Sequence, residues 1–204
     1  MMSPNKKNAD VKAVVLGESR VGKTALATRY TTTVFNENTA ATINAACFNK
    51  EVSINNTPVK YYIWDTAGQE QFRSLSPIYY RSCNVAIIVY DITNISSIEV
   101  TNFWVTELRD NGPQGVPIVV LGNKSDLSDL RQISEEDGRS FAESIGAAFY
   151  EVSALSGNNV ETAFNKALDL GYEFARTAKS STTAQSAFAE VNNGSPPAHA
   201  NACC

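Results

Sequence analysis

The amino-acid sequence predicts an α/β fold in which a six-stranded, mostly parallel sheet carries helices on both faces. Three features point to this class. Short apolar runs alternate along the chain with longer amphipathic segments, as strands and helices do in βαβ units. The runs are rich in Val and Ile and nearly continuous, as expected of strands buried on both faces. One pair of predicted strands stands too close in the sequence for a helix to join them.

The predicted strands are apolar runs bounded by glycine or polar residues. Five of them cover residues 11–16, 61–64, 85–90, 118–121 and 148–152. A sixth, residues 51–54, comes shortly before the strand at 61–64, with Asn55 and Asn56 between the two. Because this gap is too short for a crossover helix, we expect an antiparallel hairpin at one edge of the sheet.

The predicted helices are the four amphipathic segments at residues 23–30, 96–109, 134–145 and 159–176. The third begins Ser134-Glu-Glu-Asp, which resembles a capping box, and it is followed by Gly146. A capping residue before a helix and a glycine after it are typical of its two ends.

The chain divides into a short N-terminal arm at residues 1–10, a globular body at 11–176 and a tail at 177–204. After residue 176 the sequence is mostly Ser, Thr, Ala, Asn and Pro, and Lys179 and Glu190 are its only charged residues. A segment with no sustained apolar period buries too little surface to offset its ordering entropy. We therefore expect the tail to be a flexible tether.

The composition excludes several classes of protein. Of 204 residues, 43% are hydrophobic and 19% charged, which is typical of a globular domain. The net charge of −4 predicts no nucleic-acid partner. No apolar run approaches the roughly 18 residues of a membrane span, and the N-terminus lacks the apolar stretch of a secretory signal. The four cysteines lack the spacing of a disulfide framework, so we expect an intracellular protein.

A phosphate-binding loop is predicted at residues 17–24, which read GESRVGKT. This fits the pattern G-x-x-x-x-G-K-[ST], and it lies between a predicted strand and a predicted helix, as that motif requires. Glycines let backbone amides surround a phosphate at a helix N-terminus. Lys23 can reach the outer phosphates, and the Thr24 hydroxyl can ligate Mg²⁺.

A second motif, WDTAGQE at residues 64–70, follows the strand at 61–64. Asp65 stands at the strand end, where a carboxylate that organises Mg²⁺ belongs in an open α/β sheet. Gly68 lets a backbone amide approach a terminal phosphate. Gln69 has both a donor and an acceptor, so it can orient an attacking water.

A third motif, NKSD at residues 123–126, and then Ser153 and Ala154 each follow a predicted strand. The carboxylate of Asp126 can accept hydrogen bonds from the ring N–H and the exocyclic amine of guanine. Adenine has neither donor there, so binding it would leave the carboxylate unpaired. A backbone N–H at Ser153 or Ala154 can donate a hydrogen bond to the guanine oxygen. Each motif taken alone also fits an ordinary turn or helix cap. All four segments, however, follow predicted strands in one order along the chain, and this combination predicts a guanine-nucleotide site.

Together these segments resemble the nucleotide motifs of the Ras superfamily of small GTPases, over nearly all of residues 11–176. Residues 63–70 (IWDTAGQE), 79–82 (YYRS) and 89–93 (VYDIT) resemble the Rab branch. GESxVGK, TIxAA from Thr42 and SLxPxYYR from Ser74 are most similar to the early-endosomal Rabs. The resemblance implies a P-loop small-GTPase fold, with residues 11–176 as the GTP-binding domain.

The resemblance also implies roles for individual residues. Thr24, Thr42 and Asp65 would hold Mg²⁺, Gln69 would position the catalytic water, and Phe35 would contact the base. Ser19 is small enough to leave room for the γ-phosphate and a partner's arginine, so hydrolysis would be slow without an activating protein. The implied nucleotide-binding residues are Ser19, Arg20, Val21, Gly22, Lys23, Thr24, Ala25, Phe35, Thr42, Gly68, Asn123, Lys124, Asp126, Ser153, Ala154 and Leu155.

An effector surface and a lipid anchor are implied in the same way. Ile43, Cys47, Trp64 and Tyr79 would contact effectors, although the family usually has an aromatic residue at the position of Cys47. Leu155 replaces a lysine common in the family, and Asn44 replaces a glycine. Cys203 and Cys204 resemble the double-prenylation site of Rabs; with two chains, stable anchoring is expected.

The resemblance implies a monomeric GTP/GDP switch that regulates vesicle trafficking on the cytoplasmic face of early endosomes or related vesicles. Its partners would be an exchange factor, a GTPase-activating protein, a GDP-dissociation inhibitor, a prenylation escort protein and effectors. Three alternatives remain open: a Ras- or Rho-like signalling GTPase, a P-loop ATPase or nucleotide kinase, and a GTP-binding scaffold that hardly turns over.

Overall fold

The computed structural model describes residues 9–35, 42, 45–67 and 77–191, with only the backbone described at 77 and 179–191. The elements, in chain order, are β1 (Ala9–Gly17), α1 (Lys23–Thr32), β2 (Ala46–Ile54), β3 (Thr57–Asp65), α2 (Pro77–Tyr80), β4 (Val85–Asp91), α3 (Ile95–Asn111), β5 (Ile118–Asn123), a 3₁₀ helix (Ser125–Leu130), α4 (Glu135–Ser144), β6 (Ala148–Glu151) and α5 (Val160–Val191).

The strands form one six-stranded sheet in the order β2-β3-β1-β4-β5-β6. β2 and β3 pair antiparallel, and the other neighbours pair parallel. The predicted fold class and the predicted edge hairpin are therefore confirmed. Asn55 and Asn56 both have positive φ, 49° and 59°, which matches the strand twist in a two-residue hairpin turn.

The sheet has an apolar core on each face, because its central strands are buried on both sides. In β1, Val11, Ala13 and Val15 point into a core shared with α1 and α5. Val14 and Leu16 point the other way, into a core shared with α3. This alternation is the period of two that a strand imposes on its side chains. It confirms the prediction of helices on both faces.

The structure differs from the sequence-based prediction at the two ends of the body. β1 begins at Ala9, inside the predicted arm. α5 continues to Val191, whereas the predicted helix ends at 176. Residues 177–191 contain no glycine or proline and several alanines, so the backbone has no strong reason to leave the helix. The backbone of this stretch is helical. That residues 177–204 act as a flexible tether stays a prediction, and residues 192–204 lie outside the described residues.

Two short elements were not predicted. α2 is a single turn, and the 3₁₀ helix Ser125–Leu130 includes non-helical dihedrals at Leu127. Neither is long enough to show an apolar period.

The predicted cap of α4 is confirmed, because Ser134 Oγ accepts a hydrogen bond from the Asp137 N–H at 3.0 Å. In the described part of the chain, no helix is both long and apolar enough to cross a bilayer.

The two cysteines of the body differ in exposure. Cys83 is 2% exposed, and burial raises the pKa of its thiol to about 12; Cys47 is exposed on β2. Because only the thiolate is alkylated, we expect iodoacetamide at pH 8 to modify Cys47 in the native protein and to leave Cys83 unmodified, as read by peptide mass spectrometry. Cys83 should react in guanidinium chloride. Equal labelling of both in the native protein would contradict the buried position.

Candidate functional site

Most of the predicted site residues meet at one edge of the sheet. They lie in the loop after β1, at the end of β3, in the loop after β5 and in the loop after β6. Because these strands are parallel, their carboxyl ends share an edge, which is where ligands bind in open α/β sheets. The fold therefore brings together segments that are far apart in the sequence.

The loop from β1 to α1 depends on glycine at both of its ends. Gly17 and Gly22 have φ of 145° and 96°. A Cβ at Gly17 would lie 2.2 Å from the Val89 carbonyl oxygen, and one at Gly22 would lie 2.3 Å from Asn123 Nδ2. Both positions therefore exclude a side chain on steric and conformational grounds. Between them, Ser19 and Arg20 form a turn, with Arg20 also at a positive φ of 65°.

Lys23 opens α1 and folds back across this loop. Its ammonium donates hydrogen bonds to the carbonyl oxygens of Gly17 at 3.0 Å and Glu18 at 2.7 Å. The side chain is almost completely buried, and burial lowers the pKa of Lys23 to about 8, although Asp65 and Glu18 oppose the shift. A phosphate group beside this ammonium would favour its charged form.

Three side-chain oxygen atoms from separate segments lie close together next to Lys23. Thr24 Oγ1 donates to Asp65 Oδ2 at 2.6 Å and lies 2.8 Å from Thr42 Oγ1. Thr42 Oγ1 donates to the same carboxylate oxygen at 3.4 Å. Asp65 is fully buried, and burial raises its pKa, which the hydroxyl of Thr24, the ammonium of Lys23 and the hydroxyl of Thr42 partly counter.

This donor set fits Mg²⁺. Asp65 Oδ1 is buried and has no hydrogen-bond partner, so the carboxylate keeps one oxygen without compensation. Mg²⁺ prefers oxygen ligands and is commonly held by one or two carboxylates together with substrate phosphates. Within the described ranges there is no cluster of three or more His, Cys, Asp and Glu residues that could hold a metal ion.

Asn123 joins three loops at the end of β5. Its side chain is 1% exposed; Nδ2 donates to the Val21 carbonyl oxygen at 2.8 Å, and Oδ1 accepts from the Ala154 N–H at 3.2 Å. The next residue, Lys124, has φ of 69° and forms an ion pair with Asp91 at 2.5 Å. The segments after β1, β5 and β6 are thereby held in one arrangement.

Asp126 and Ser153 are brought into direct contact, although 27 positions separate them. The Ser153 hydroxyl donates to Asp126 Oδ1 at 2.5 Å. Asp126 is exposed, so the carboxylate is open to a ligand from solution. Leu155, two positions after Ser153, has 48% of its surface exposed. Phe35 is half-buried against the core shared by α1 and α5, as is Ala25.

Cys47, Trp64 and Tyr79 also come together, on the β2–β3 edge of the sheet. Cys47 lies opposite Trp64 in the antiparallel pair. The rings of Trp64 and Tyr79 lie 5.4 Å apart between centroids, at an interplanar angle of 34°. The exposed thiol of Cys47 thus lies across from a ring that packs on a second ring; that these three residues bind effectors stays a prediction.

Several predicted site residues lie outside the described residues. They are Ile43, Gly68, Gln69, Cys203 and Cys204. Conversely, Asp91 was not predicted as a site residue, although it holds Lys124. A carboxylate at the end of a buried strand, the signal used for Asp65, was available for Asp91 as well.

Comparison with known proteins adds independent information. A model of the Ras family matches residues 12–172. The chain is similar to Ras-related protein Rab5 of Nicotiana tabacum, with 39% identity over 206 positions covering 100% of both chains. It is also similar to human Rab-31, with 43% identity over 76% of this chain and 80% of that one. RABF2b of Arabidopsis thaliana is 40% identical over 86% of this chain and 84% of the relative.

The bridge made by Asn123 yields a prediction about stability. Asn123→Ala leaves the Val21 carbonyl and the Ala154 N–H without their partner in a buried environment. We expect the free energy of unfolding of the nucleotide-free protein to fall by about 2–4 kcal/mol, as measured by urea denaturation. Asn102→Ala, at an exposed position of α3, is the matched control and should change it by less than about 0.5 kcal/mol. Similar effects in both variants would contradict the bridging role.

Proposed function

Because this chain belongs to the Ras family, in its Rab branch, we propose that it is a switch that binds GTP or GDP and hydrolyses GTP slowly. In the GTP state it recruits effectors that regulate vesicle trafficking, with an early endocytic role as the specific assignment. The observation that carries this proposal is the convergence of Thr24 and Thr42 on the buried carboxylate of Asp65, beside Lys23. The relatives named Rab5 and Rab-31 support the early endocytic assignment.

The switch depends on how Thr42 is held. Its hydroxyl reaches Thr24 at 2.8 Å and Asp65 at 3.4 Å, so Thr42 is held at the site by two polar side-chain contacts. Thr42 would gain favourable contacts from a bound γ-phosphate with its metal, and hydrolysis would remove those made to the γ-phosphate. Cys47 and Trp64 lie on the adjoining strands β2 and β3, and Tyr79 of α2 packs against Trp64. An effector that contacts these residues would respond to this change.

The metal would be Mg²⁺, held by Thr24, Thr42 and Asp65. When bound, it neutralises negative charge on the outer phosphates and lowers the barrier to phosphoryl transfer. The residues of the chain supply the remainder of the binding energy. Lys23 and the backbone amides around Gly22 bind the phosphates, and the buried position of Lys23 strengthens its interaction with an anion.

Guanine specificity is assigned to Asp126, with Ser153 and Ala154 beside it. The exposed Asp126 carboxylate, oriented by Ser153, accepts from the two donors on the guanine edge, and a backbone N–H of the loop donates to the guanine oxygen. Adenine offers neither donor to Asp126, which disfavours an ATPase or a nucleotide kinase. Leu155 contributes an apolar contact without the charge that the family usually has there.

Family membership supports a proposal for membrane attachment and regulation. Lipids on Cys203 and Cys204 would anchor the protein to the cytoplasmic face of early endosomes or related vesicles, from which it cycles to the cytosol. An exchange factor, an activating protein, a GDP-dissociation inhibitor and a prenylation escort protein would be its regulators. An arginine of the activating protein would add roughly 10³- to 10⁵-fold to hydrolysis, entering beside the small side chain of Ser19.

The bound nucleotide tests the central proposal. Protein purified without added nucleotide should release GDP or GTP on denaturation, as identified by chromatography; recovery of adenine nucleotides alone would overturn the proposal. Asp126→Asn replaces an acceptor by a donor, and xanthine has a carbonyl where guanine has its amine. We expect affinity for GDP to fall by roughly ten- to a hundredfold and affinity for XDP to rise. Asp129→Asn, in the same 3₁₀ helix, should change neither.

Hydrolysis tests the role of Gln69. Gln69→Leu keeps a similar volume but can neither donate to nor accept from a water, so we expect single-turnover GTP hydrolysis to slow by roughly tenfold or more. The GDP dissociation rate, measured in parallel with a fluorescent analogue, should stay the same. Unchanged hydrolysis in this variant would contradict the assignment.

The anchor and the compartment are tested in cells. We expect the N-terminally tagged chain to overlap with a tracer of endocytic uptake and the Cys203→Ser, Cys204→Ser double variant to become diffuse, because two lipid chains are needed for stable anchoring. Membrane staining away from the tracer would contradict the early endocytic assignment. Diffuse staining of both chains would contradict the anchor.

A further inference from the structure

Arg29, in the last turn of α1, makes a close contact with the loop that follows β6. Its Nη2 donates a hydrogen bond to the Ser156 carbonyl oxygen at 3.0 Å. A Cβ at Gly157 would lie 2.7 Å from Nη2 and 2.9 Å from Nε, so the guanidinium lies directly against the Gly157 backbone. Gly157 also has φ of 84°, and this positive φ is a second reason for glycine at this position.

Hydrogen bonds lead from this contact to Asp126. The N–H of Ser156 donates to Ser153 Oγ at 3.0 Å. The same hydroxyl donates to Asp126 Oδ1 at 2.5 Å. Ser156 is thus bound through its carbonyl by Arg29 and through its amide by Ser153. Three successive hydrogen bonds connect a helix side chain to the carboxylate that is assigned to guanine.

The loop between these points is short and closed. The Gly157 N–H donates to the Ser153 carbonyl oxygen at 2.8 Å, and the Ser153 N–H donates to the Asn158 carbonyl oxygen at 3.1 Å. Movement of Ser156 and Gly157 therefore displaces Ser153 as well. Leu155, which lies within this turn, has no polar side-chain atom with which to hold it in place, so the turn depends on contacts made by its neighbours.

We infer that Arg29 is a positioning residue for guanine recognition, holding the loop at residues 153–157 so that Ser153 orients the Asp126 carboxylate. Arg29 acts through Ser156 and does not itself contact the base. This inference rests on the proposed function. The competing view is that Arg29 only ties α1 to the body, in which case its loss weakens the binding of every nucleotide alike.

The choice of nucleotide separates the two views. Inosine lacks the exocyclic amine of guanine, so a well-oriented Asp126 favours GDP over IDP, and a poorly oriented one favours it less. Arg29→Met keeps the length and helix propensity of the side chain and removes its donors. We expect GDP dissociation to accelerate by roughly tenfold and the GDP/IDP affinity ratio to fall by several-fold, measured by displacement of a fluorescent nucleotide from the full chain.

Two further variants keep the test decisive. Arg29→Lys retains one donor toward Ser156 and should recover part of the ratio. Gly157→Ala disturbs the same contact from the loop side and should lower the ratio without altering α1. Arg139→Met is the matched control, because Arg139 lies on α4 and pairs with Glu135; it should leave the ratio unchanged.

Each result decides the question. A fall in the ratio for Arg29→Met and Gly157→Ala, with partial recovery in Arg29→Lys, supports the inference. Equal weakening of GDP and IDP, or no change in either, overturns it. If the unaltered chain retains no guanine nucleotide, the proposed function fails and the inference fails with it; if the chain retains GDP and only the ratio is unaffected, the inference alone fails.

Discussion

The rest of the site depends on the two hydrogen bonds made by the buried side chain of Asn123. Its amide joins the Val21 carbonyl and the Ala154 N–H, which stand 102 and 31 positions away from it. Gly22 must lack a side chain because this amide occupies the space. A polar group so deeply buried is stabilising only when all its hydrogen bonds are made. The Asn123 amide therefore links the loops after β1, β5 and β6 by hydrogen bonds within the protein.

The region around Asp65 differs, because the hydrogen bonds of its buried carboxylate are incomplete. Its carboxylate is fully buried, keeps one oxygen without a partner, and has a raised pKa. The neighbouring ammonium of Lys23 has a lowered pKa for the same reason, burial. Two buried charges with incomplete compensation are costly, and a ligand that supplies both a cation and an anion relieves that cost. The hydrogen bonds of Asn123 are made within the protein, whereas the charges around Asp65 would be compensated by a ligand, and this contrast suits a switch.

The sequence predicted the sheet and its helices because their signals are local, and the candidate site residues likewise stand in short contiguous motifs. Buried strands appear as apolar runs, Asn55-Asn56 marks the hairpin turn, and Ser134 caps α4, as the structure confirms. The predicted end of the last helix at residue 176 came too early, because the residues that follow include few large apolar side chains that would extend the helical period. The single turn of α2 and the 3₁₀ helix are too short to show a period.

By itself, the sequence determined which residue types stand at the strand ends, and hence the class of ligand and the family to which the chain belongs. Its motifs are contiguous, so their chemistry can be recognised without coordinates. Only the tertiary structure decided which side chains hold them in place. Arg29 and Ser156 are 127 positions apart, and neither belongs to a motif. Their contact exists because α1 and the loop after β6 lie at the same edge of the sheet, and the order of strands that brings them there results from packing, which no local pattern encodes.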